Sequence, residues 1–282
     1  MKILILGYKG MLGYELVEAF FEGNELFLWD REQIDITKRD DVIKKIGKLK
    51  PDIVINSAAY TAVDKAESEK DAVYKVNGCA VGFLSTICKE IDALLIHFST
   101  DYVFDGENHL GYKEDHLVTK PITLYGRSKV LGEKLITDIN PRHYLIRTSW
   151  LFGKNGKNFV ETMIGLANEK RDIKVVNDQF GSPTYAKDLA YKVREMVNEN
   201  KPSGIYHITN SNHCSWYEFA LKIFELAGLS PNVKPVKTEE FPTPAKRPTY
   251  SMLVNTKLSS MRSWEDALEE YLIERKNKAL NI

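Results

Sequence analysis

The stretch that decides the fold is KILILGYKGMLG, residues 2–13. Its continuous apolar run over residues 3–6 predicts a strand covered on both faces, and a helical pattern begins at Met11. The turn between them carries three glycines: Gly7, Gly10 and Gly13. Glycines in such a turn let the backbone approach a pyrophosphate, and the amides of Met11 and Leu12 then point at it from the helix N-terminus. The stretch therefore predicts a dinucleotide site, with a plain tight turn as the alternative.

The first half of the chain alternates short apolar runs with longer amphipathic stretches. The apolar runs predict strands at residues 3–6, 26–29, 53–56, 94–98 and 144–147. The amphipathic stretches predict helices at residues 11–21, 40–49, 72–90 and 125–139. Strands and helices that alternate at this spacing form βαβ crossovers. We therefore predict a Rossmann-like α/β fold with a doubly wound parallel sheet.

The pattern changes from about Gly153 onward. Helices are predicted at residues 159–168, 187–197 and 215–227, and short strands at residues 174–176 and 204–208. This mixture predicts a smaller α/β lobe packed on the sheet. We divide the chain into a dinucleotide-binding domain, 1–152, and a mainly substrate-binding C-terminal domain, 153–282, and the chain is free to cross between the two lobes.

Local signals mark several boundaries in this second half. Ser215 and Glu218 fit a capping box, and Gly228 is placed to end the helix that they open. Ser263 is a second capped start, which leads into the final helix. Residues 230–250 hold five of the ten prolines, which predicts an extended segment.

Composition excludes several classes of protein. The 282 residues carry 39 basic and 39 acidic side chains, so the formal net charge is zero. A general nucleic-acid binder needs a basic excess, and so does a polybasic membrane-surface protein. No apolar run approaches the ~18 residues of a membrane-spanning helix, and the first run is shorter than the roughly 7–15 apolar residues of a secretory signal. We therefore expect no nucleic-acid or membrane partner and a cytoplasmic location.

The cysteines agree with that location. They are Cys79, Cys88 and Cys214, an odd number without CxxC spacing. This pattern predicts reduced thiols that are mostly buried. A structural zinc site usually needs four clustered Cys or His ligands, so the cysteines do not predict one.

Two neighbouring residues bear on the choice of dinucleotide. Asp30 ends the second predicted strand, seventeen residues after Gly13, where a carboxylate can bond the ribose 2′-hydroxyl of NAD. Arg31 beside it can instead accept the 2′-phosphate of NADP. Asp30 can also be a simple turn residue. The sequence leaves both NADH and NADPH open as the cofactor.

A phenol and an ammonium lie four residues apart at Tyr125 and Lys129, on one face of a predicted helix. A free tyrosine has a pKa near 10, too high for efficient proton transfer at neutral pH, and a cation one turn away lowers it. Ser99, Thr100 and Asp101 follow the fourth predicted strand and offer hydroxyls to a substrate oxygen. A Tyr and a Lys at this spacing are also common on a solvated helix face. Their place after the glycine-rich loop and the hydroxyl-bearing strand end favours a catalytic pair.

Four motifs resemble the extended short-chain dehydrogenase/reductases. They are GYKGMLG, NSAAY, STDYVFDG and YGRSK, at residues 7–13, 56–60, 99–106 and 125–129. Longer strings resemble, more narrowly, the dTDP-4-dehydrorhamnose reductases: STDYVF at 99–104, RTSWLFG at 147–153 and DQFGSPT at 178–184. The strings run in the family's order and reach Lys246-Arg247-Pro248, so the resemblance covers nearly the whole chain.

The resemblance implies a reaction of dTDP-rhamnose biosynthesis. NADH or NADPH would deliver hydride to the C4 ketone of dTDP-4-dehydro-L-rhamnose, which would give dTDP-L-rhamnose. The family's catalytic trio matches Thr100, Tyr125 and Lys129. Tyr125 would donate the proton to the developing alkoxide, while Lys129 would lower the pKa of that tyrosine and hold the nicotinamide ribose. Thr100 would hydrogen-bond the sugar oxygen.

The resemblance also implies contacts to both ligands. Besides the glycine loop, Asp30, Arg31, Tyr125 and Lys129, the implied cofactor contacts are Asp35, Ile36, Ala58, Ala59, Tyr60 and Asn77. Besides Thr100 and Tyr125, the implied substrate contacts are Asp101, Tyr102, Trp150, Asn158, Phe159 and Arg247, the last as a partner of the diphosphate. Plainer alternatives are a surface amide for Asn77 and core packing for Trp150.

Other interpretations stay open. Some family members dimerise around a metal such as Mg²⁺ held by acidic residues; Glu15 is a candidate here, but we assign no metal, and we expect a monomer or a homodimer. Nucleotide-sugar epimerases and reductases of other keto sugars share the trio, although the DQFGSPT and RTSWLFG strings favour the reductase. Some relatives of the fold are non-catalytic regulatory subunits of methionine adenosyltransferase, against which the intact Tyr125 and Lys129 weigh.

Overall fold

Six parallel strands form the central sheet of the computed structural model, which describes residues 1–116, 118–169 and 172–280. The strands of these residues are, in chain order, β1 Lys2–Leu6, β2 Glu25–Trp29, β3 Ile53–Asn56, β4 Leu94–Thr100, β5 Tyr112–Lys113, β6 His143–Thr148, β7 Leu151–Phe152, β8 Ile173–Val176, β9 Phe180–Gly181, β10 Thr184–Tyr185, β11 Gly204–His207, β12 Cys214–Ser215, β13 Val233–Val236 and β14 Leu253–Val254. The α-helices are α1 Met11–Phe20, α2 Arg39–Leu49, α3 Val63–Ala66, α4 Lys70–Tyr74, α5 Ala80–Glu90, α6 Leu124–Ile139, α7 Phe159–Asn168, α8 Ala186–Asn198, α9 Trp216–Ala227 and α10 Trp264–Leu280.

The order of the strands determines where a ligand can bind. The sheet runs β2-β1-β3-β4-β6-β11, and each neighbouring pair is parallel. The direction of winding reverses at β1, because β2 lies on one side of it and β3 on the other. Doubly wound sheets bind ligands outside the carboxyl ends of the strands at such a switch point. The predicted doubly wound parallel sheet is confirmed, and Gly7 and Ser57 follow its two switch-point strands.

Both faces of the sheet are buried, as the continuous apolar runs predict. Ile3 and Ile5 of β1 face a core that they form with α1 and α8. Leu4 and Leu6 face a second core, formed with α2 and α5. The alternation of side chains between the two faces therefore explains why residues 3–6 of the strand are all apolar.

The predicted helix over residues 72–90 is interrupted. A π-helical segment, Lys75–Cys79, separates α4 from α5 and widens the helix by one residue in that turn. Helix α6 packs closely against this segment, because a Cβ on Gly132 would lie 2.3 Å from the carbonyl oxygen of Asn77. The apolar periodicity is continuous through the segment, so the sequence pattern does not reveal the wider turn.

The second half of the chain contributes to the sheet domain. Helix α8 packs on α1, and β11 pairs with β6 in the central sheet. A separate apolar core lies among α7, α9 and α10 and includes Phe219 and Trp264. The chain thus returns to the sheet domain after β10. The predicted domain boundary between residues 152 and 153 stays a prediction.

The local signals of the second half are confirmed. Ser215 Oγ accepts a hydrogen bond from the Glu218 amide at 3.1 Å, and Glu218 Oε2 accepts one from the Ser215 amide at 2.7 Å. Gly228 ends α9 with a φ of 69°. Ser263 caps α10 through its Oγ, which accepts a backbone N–H at 3.1 Å. Residues 230–250, all within the described part of the chain, form no α-helix.

Two further expectations concern the chain as a whole. Among the described residues, none of the helices combines the length and the apolar character that crossing a membrane requires. The three cysteines, each within those residues, are free thiols, of which Cys88 and Cys214 are buried and Cys79 is exposed. The prediction of unpaired, mostly buried thiols is confirmed.

Candidate active site

The glycine loop after β1 packs against the end of β3. Gly7 has a φ of +76°, and a Cβ there would lie 2.9 Å from the amide nitrogen of Ala58. A Cβ on Gly13 would lie 2.2 Å from the carbonyl oxygen of Gly7. Both distances are too short for a side chain, so only glycine lets the loop fold this tightly. The first amides of α1, at Met11 and Leu12, are those that a helix leaves without an intrahelical partner.

A cleft of about 700 Å³ opens beside the loop, over the switch point of the sheet. Many of the predicted cofactor residues line it: Gly7, Gly10, Asp30, Arg31, Asp35, Ile36, Ala58, Ala59 and Tyr60. Sequence reasoning missed other lining residues, among them Trp29, Ser57, Glu69 and Lys75. The sequence could have identified Trp29 and Ser57 as cleft residues, because each lies at the carboxyl end of a predicted strand. The cleft is large enough for a dinucleotide, and the glycine loop beside it has no side chains that would obstruct one.

Asp30 and Arg31 both lie at this cleft. Asp30 Oδ2 is 2.5 Å from Lys9 Nζ, and Asp30 Oδ1 accepts the backbone N–H of Glu32 at 2.8 Å. The hydrogen bond from Lys9 lowers the pKa of Asp30. Asp30 is thus both a turn residue and a cleft residue, so its two interpretations do not exclude each other. The geometry leaves the choice between NADH and NADPH open.

The remaining predicted cofactor residues lie behind the wall of the cleft. Leu12 belongs to the sheet core, and the Met11 side chain lies against the loop that follows β7. Asn77 is 1% exposed, so the surface-amide alternative is wrong. Asn77 Oδ1 accepts the Tyr60 N–H at 2.9 Å, and Asn77 Nδ2 donates to the Tyr60 carbonyl at 3.0 Å and to Ser128 Oγ at 3.1 Å. Asn77 therefore connects the cleft wall to α6.

The three predicted catalytic residues converge at the carboxyl end of β4. Thr100 is the last residue of β4, and Tyr125 and Lys129 lie in the first turns of α6. Helix α6 begins after Thr123, whose Oγ1 accepts the Gly126 N–H at 2.9 Å. The hydroxyl of Thr100 lies near that of Tyr125 and acts on its pKa. Tyr125 and Lys129 are buried, so the alternative of a solvated helix face is wrong.

Burial controls the protonation of this pair. It raises the pKa of Tyr125, against the hydrogen bond to Thr100, which lowers it. It lowers the pKa of Lys129 to about 8, although Glu133 opposes this shift. Lys129 Nζ donates to the carbonyl oxygen of Phe98 at 2.6 Å. The prediction that Lys129 lowers the pKa of Tyr125 is therefore not met in this structure, because burial outweighs the charge and the ammonium is bonded to β4.

Asp101 lies next to the trio and is buried. Burial raises the pKa of Asp101 to about 6, and the hydroxyls of Ser251 and Thr100 oppose that shift. Among the described residues, Asp101 Oδ2 has no hydrogen-bond partner. Thr100 Oγ1 donates to Asp101 Oδ1 at 2.8 Å. Thr100 thus lies between Asp101, to which it donates, and the phenol of Tyr125. Ser251 comes from the segment before β14 and carried no sequence signal.

Aromatic side chains close a second, narrower opening near the trio. Trp150 and Trp216 stack with their ring centroids 3.4 Å apart and their planes 6° from parallel. They border an opening of about 10 Å³, which is further lined by Tyr102, Gln179, Arg247, Pro248 and Ser251. One water molecule needs about that much space, so a sugar enters only when the two indoles separate.

Trp150 rests on Gly181 of the DQFGSPT string. A Cβ on Gly181 would lie 2.3 Å from the indole of Trp150, so a side chain there would displace the ring. Trp150 also packs at the edge of the core that α7, α9 and α10 form. Both interpretations of Trp150, site residue and core residue, therefore hold in part.

The other three predicted substrate contacts are engaged with side chains or backbone in this structure. Arg247 Nη2 donates to Asp64 Oδ2 at 2.8 Å, and Arg247 Nη1 donates to Asp64 Oδ1. Asn158 caps α7, and its Oδ1 accepts a backbone N–H at 3.1 Å. Phe159 packs against Trp216 with the ring centroids 4.6 Å apart. Arg247 borders the narrow opening, whereas substrate contacts of Asn158 and Phe159 stay predictions.

The acidic residue considered for a metal, Glu15, lies beside a network of ion pairs, and among the described residues its buried Oε1 has no hydrogen-bond partner. Burial raises the pKa of Glu15, and Lys154 opposes that shift. Glu274, which also acts on Glu15, pairs with Lys154 and Lys187 at 2.6 Å each. No cluster of three or more His, Cys, Asp or Glu side chains among the described residues could hold a metal ion. A metal at Glu15 stays unassigned, and the proposed mechanism uses none.

Curated relatives match the chain over nearly its whole length. The family model described as RmlD substrate binding domain matches residues 1–277. The spore coat polysaccharide biosynthesis protein SpsK of Bacillus subtilis (strain 168) is 43% identical, over 97% of this chain and 98% of that protein. The dTDP-4-dehydrorhamnose reductase of Aggregatibacter actinomycetemcomitans is 38% identical, over 95% of this chain and 97% of that protein.

A solved structure agrees with both halves of the fold. The dTDP-4-dehydrorhamnose reductase from Bacillus anthracis str. Ames, in complex with NADP, superimposes with a TM-score of 0.94 at 40% sequence identity. The superposition covers 97% of this chain and 100% of that chain. On the family match and on this agreement over nearly every residue, the chain belongs to the RmlD substrate-binding-domain family.

Proposed function

We propose that this protein is an NAD(P)H-dependent reductase that converts the C4 ketone of dTDP-4-dehydro-L-rhamnose into the alcohol of dTDP-L-rhamnose. The observation that carries the proposal is the position of Tyr125. Its ring packs edge-to-face on Tyr102, which borders the narrow opening, and belongs to an apolar cluster against which Tyr60 of the dinucleotide cleft also packs. A proton donor thus lies where the two ligands would meet. The names of the full-length relatives support the same reaction.

Tyr125 is the proton donor of the proposed reaction. Because burial raises its pKa, the phenol carries its proton at neutral pH. The proton moves from the phenol oxygen to the ketone oxygen as negative charge develops there. In this structure the hydroxyl of Thr100 donates its proton to Asp101 Oδ1. It would turn to the ketone oxygen when the substrate binds, and so hold that oxygen within reach of the Tyr125 phenol.

The cleft residues would hold the nicotinamide dinucleotide, which supplies the hydride when bound. The loop from Gly7 to Gly13 and the N-terminus of α1 would hold its pyrophosphate. Asp30 and Arg31 would meet the adenosine ribose, at the other end of the cleft. Lys129 would bond the nicotinamide ribose, and its charge would stabilise the phenolate that Tyr125 becomes after proton transfer.

The narrow opening would receive the sugar nucleotide. Arg247 is suited to the diphosphate, because a guanidinium binds phosphate oxygens in pairs, and it would exchange Asp64 for the ligand. Trp150 and Trp216 would separate and cover the sugar. Since the net charge is zero, both anionic ligands depend on such local groups, and no nucleic-acid partner is proposed. We place the reaction in the cytoplasm, where free thiols persist, and assign it to a monomer or a homodimer.

A coupled assay tests the proposed function. The purified protein should oxidise NADH or NADPH when dTDP-4-dehydro-L-rhamnose is supplied, and one dTDP-L-rhamnose should form for each dinucleotide consumed. Omission of the sugar nucleotide is the control and should stop the oxidation. No oxidation at saturating substrate would contradict the proposal. Tightly retained NAD without net consumption would indicate an epimerase, and co-purification with a methionine adenosyltransferase without turnover would indicate a regulatory subunit.

A further inference from the structure

Glu133 is a buried acid on α6, one turn beyond Lys129, that takes no part in the proposed proton transfer. It accepts two hydrogen bonds from Arg147 of β6, at 2.9 Å from Nε and 2.7 Å from Nη2. The side chains of Arg147 and Glu133 are 3% and 6% exposed. Taking two charges out of water is costly, so such a pair is weak evidence of a role in stability. Its position beside the catalytic lysine indicates another role.

Glu133 and Lys129 together hold the last residues of β4. Ser99 Oγ donates to Glu133 Oε1 at 2.5 Å, and Lys129 Nζ donates to the carbonyl oxygen of Phe98 at 2.6 Å. Two successive residues of the strand are thus bonded to two successive turns of α6. The next residue is Thr100, so these contacts fix the strand directly before the catalytic threonine.

Arg147 is itself held in one orientation. Its guanidinium lies over the ring of Phe104, 5.0 Å from the centroid, and its Nη1 is 3.4 Å from Nε2 of His207. Burial and the charge of Arg147 lower the pKa of His207 to about 3, so this histidine is neutral. The positive charge of Arg147 is therefore balanced by Glu133.

Several charged or titratable groups surround Lys129. They are Tyr125 and Glu133 on its own helix, His97 and Asp101 on β4 and the turn after it, and Arg147 on β6 behind Glu133. Burial lowers the pKa of Lys129 and Glu133 raises it. Burial and Lys129 also keep the pKa of His97 well below its usual value, so His97 is neutral. Glu133 is thus the neighbour that favours the ammonium form of Lys129.

We infer that Glu133 is a positioning residue for the proposed reaction: held by Arg147, it places a carboxylate one turn from the Lys129 ammonium and holds the end of β4 against α6. The inference rests on the proposed function where it treats Lys129 as catalytic. The charge of Lys129 can nevertheless be measured without any substrate. A role in packing alone would depend on the shape of Glu133 and not on its charge.

Two matched variants separate charge from shape. Glu133→Gln keeps the size of the side chain and removes its charge, whereas Glu133→Asp keeps the charge and loses a methylene. The titration of Lys129 is followed by NMR of nitrogen-15-labelled lysine side chains in the cofactor-free protein, with Lys129→Met to assign the signal. We expect the Lys129 midpoint to fall by about one pH unit in Glu133→Gln. In Glu133→Asp it should move by less than half as much.

A double variant covers the case in which Glu133→Gln fails to fold because Arg147 is left without a countercharge. Glu133→Leu combined with Arg147→Met removes both charges and keeps an apolar volume, a replacement that is often neutral for stability. Its Lys129 midpoint should also fall. An unchanged midpoint in every folded variant without the Glu133 charge, or a fall in Glu133→Asp as large as that in Glu133→Gln, would overturn the inference.

Kinetics give a second readout. With NADPH and the sugar nucleotide, the alkaline loss of kcat should begin about one pH unit lower in Glu133→Gln than in the wild type, while KM for the sugar nucleotide changes less than about threefold. A loss of kcat that is equal at all pH values would indicate a structural role and would overturn the inference. If the wild type shows no turnover, the proposed function fails, and the NMR titration still decides the role of Glu133.

Discussion

Arg247 and Asp64 are joined by two hydrogen bonds although 183 residues separate them in the chain. Asp64 lies on α3, just after β3, and Arg247 lies in the segment before β14. The hydrogen bond from Arg247 lowers the pKa of Asp64, so both groups are charged at neutral pH. The pair ties the C-terminal segment to the rim of the narrow opening, and a diphosphate that binds Arg247 must replace Asp64.

Removal of Asp64 should therefore strengthen nucleotide binding. We expect Asp64→Asn to lower the Kd for dTDP, because the guanidinium is then free, and Arg247→Ala to raise it about tenfold, as loss of a charge-assisted hydrogen bond does. Calorimetric titration with dTDP in the presence of NADPH measures both. Weaker binding in both variants would show that Asp64 orients Arg247 for the ligand instead of competing with it.

Gly181→Ala should disable the sugar side of the site. The new Cβ would lie 2.3 Å from the indole of Trp150 and push the ring off Gly181, so that it could no longer cover the sugar. We expect kcat/KM for the sugar nucleotide to fall about 10- to 100-fold, as displaced positioning groups cause, with the Kd for NADPH unchanged. Wild-type kinetics in this variant would contradict the role given to Trp150.

Gly165→Ala is the matched control for that experiment. Gly165 lies within α7, and a Cβ there would meet no atom of the described residues within 4 Å. Alanine in place of a helical glycine should leave the kinetics unchanged and stabilise the protein by roughly 0.5–1 kcal/mol. Loss of activity in this variant would show that the second lobe tolerates no added methyl group, and the Gly181 result would then lose its meaning.

Asp101 should make the protein less stable as the pH rises. Its pKa in the folded protein is about 6, above the ordinary 3.8, because burial disfavours the carboxylate. The folded protein then holds more protons than the unfolded chain between these two values, so the free energy of unfolding falls with rising pH in that window. A shift of this size corresponds to about 3 kcal/mol. The free energy of unfolding, measured by urea denaturation below and above this pH window, should show this loss in the wild type but not in Asp101→Asn. If both proteins lose the same stability with rising pH, burial of Asp101 is not the cause.

Lys9 should influence the choice between NADPH and NADH. Its ammonium is 2.5 Å from the Asp30 carboxylate and balances part of that charge. Without Lys9, Asp30 would repel the 2′-phosphate of NADPH, whereas the 2′-hydroxyl of NADH could still donate to it. We expect Lys9→Ala to weaken the binding of NADPH about threefold relative to that of NADH, which is the effect of an exposed ion pair. Asp30→Ala should instead favour the binding of NADPH over that of NADH. Fluorescence titrations with NADPH and NADH measure both dissociation constants. If their ratio is unchanged in both variants, the 2′ group of the dinucleotide does not bind near Asp30.

The sequence predicts the parts of the site that depend on residues close together in the chain. The strand before Gly7, the glycine loop and the hydroxyl-bearing end of β4 each follow from residue types within one or two elements. Asp64, Trp216 and Ser251 were missed, because each reaches the site from a distant segment. Their residue types are common on any surface or in any core, so only the tertiary contacts distinguish them.

The electrostatics of the trio also depend on the folded environment. The spacing of Tyr125 and Lys129 predicts a cation that acts on a phenol, but burial raises the pKa of Tyr125 and lowers that of Lys129. The bond from Lys129 to Phe98 and the charge of Glu133 come from the packing of α6 on β4. Spacing along one helix contains no information on that packing.

The most direct test of the proposed chemistry is the rate of a single turnover in Tyr125→Phe. Phenylalanine keeps the ring that packs on Tyr102 and removes only the hydroxyl whose proton is to be transferred. We predict that reduction of dTDP-4-dehydro-L-rhamnose by bound NADPH slows about 100- to 10,000-fold, the contribution of a positioned acid, with the Kd for NADPH unchanged. A rate close to that of the wild type would contradict the assignment of Tyr125 as the proton donor.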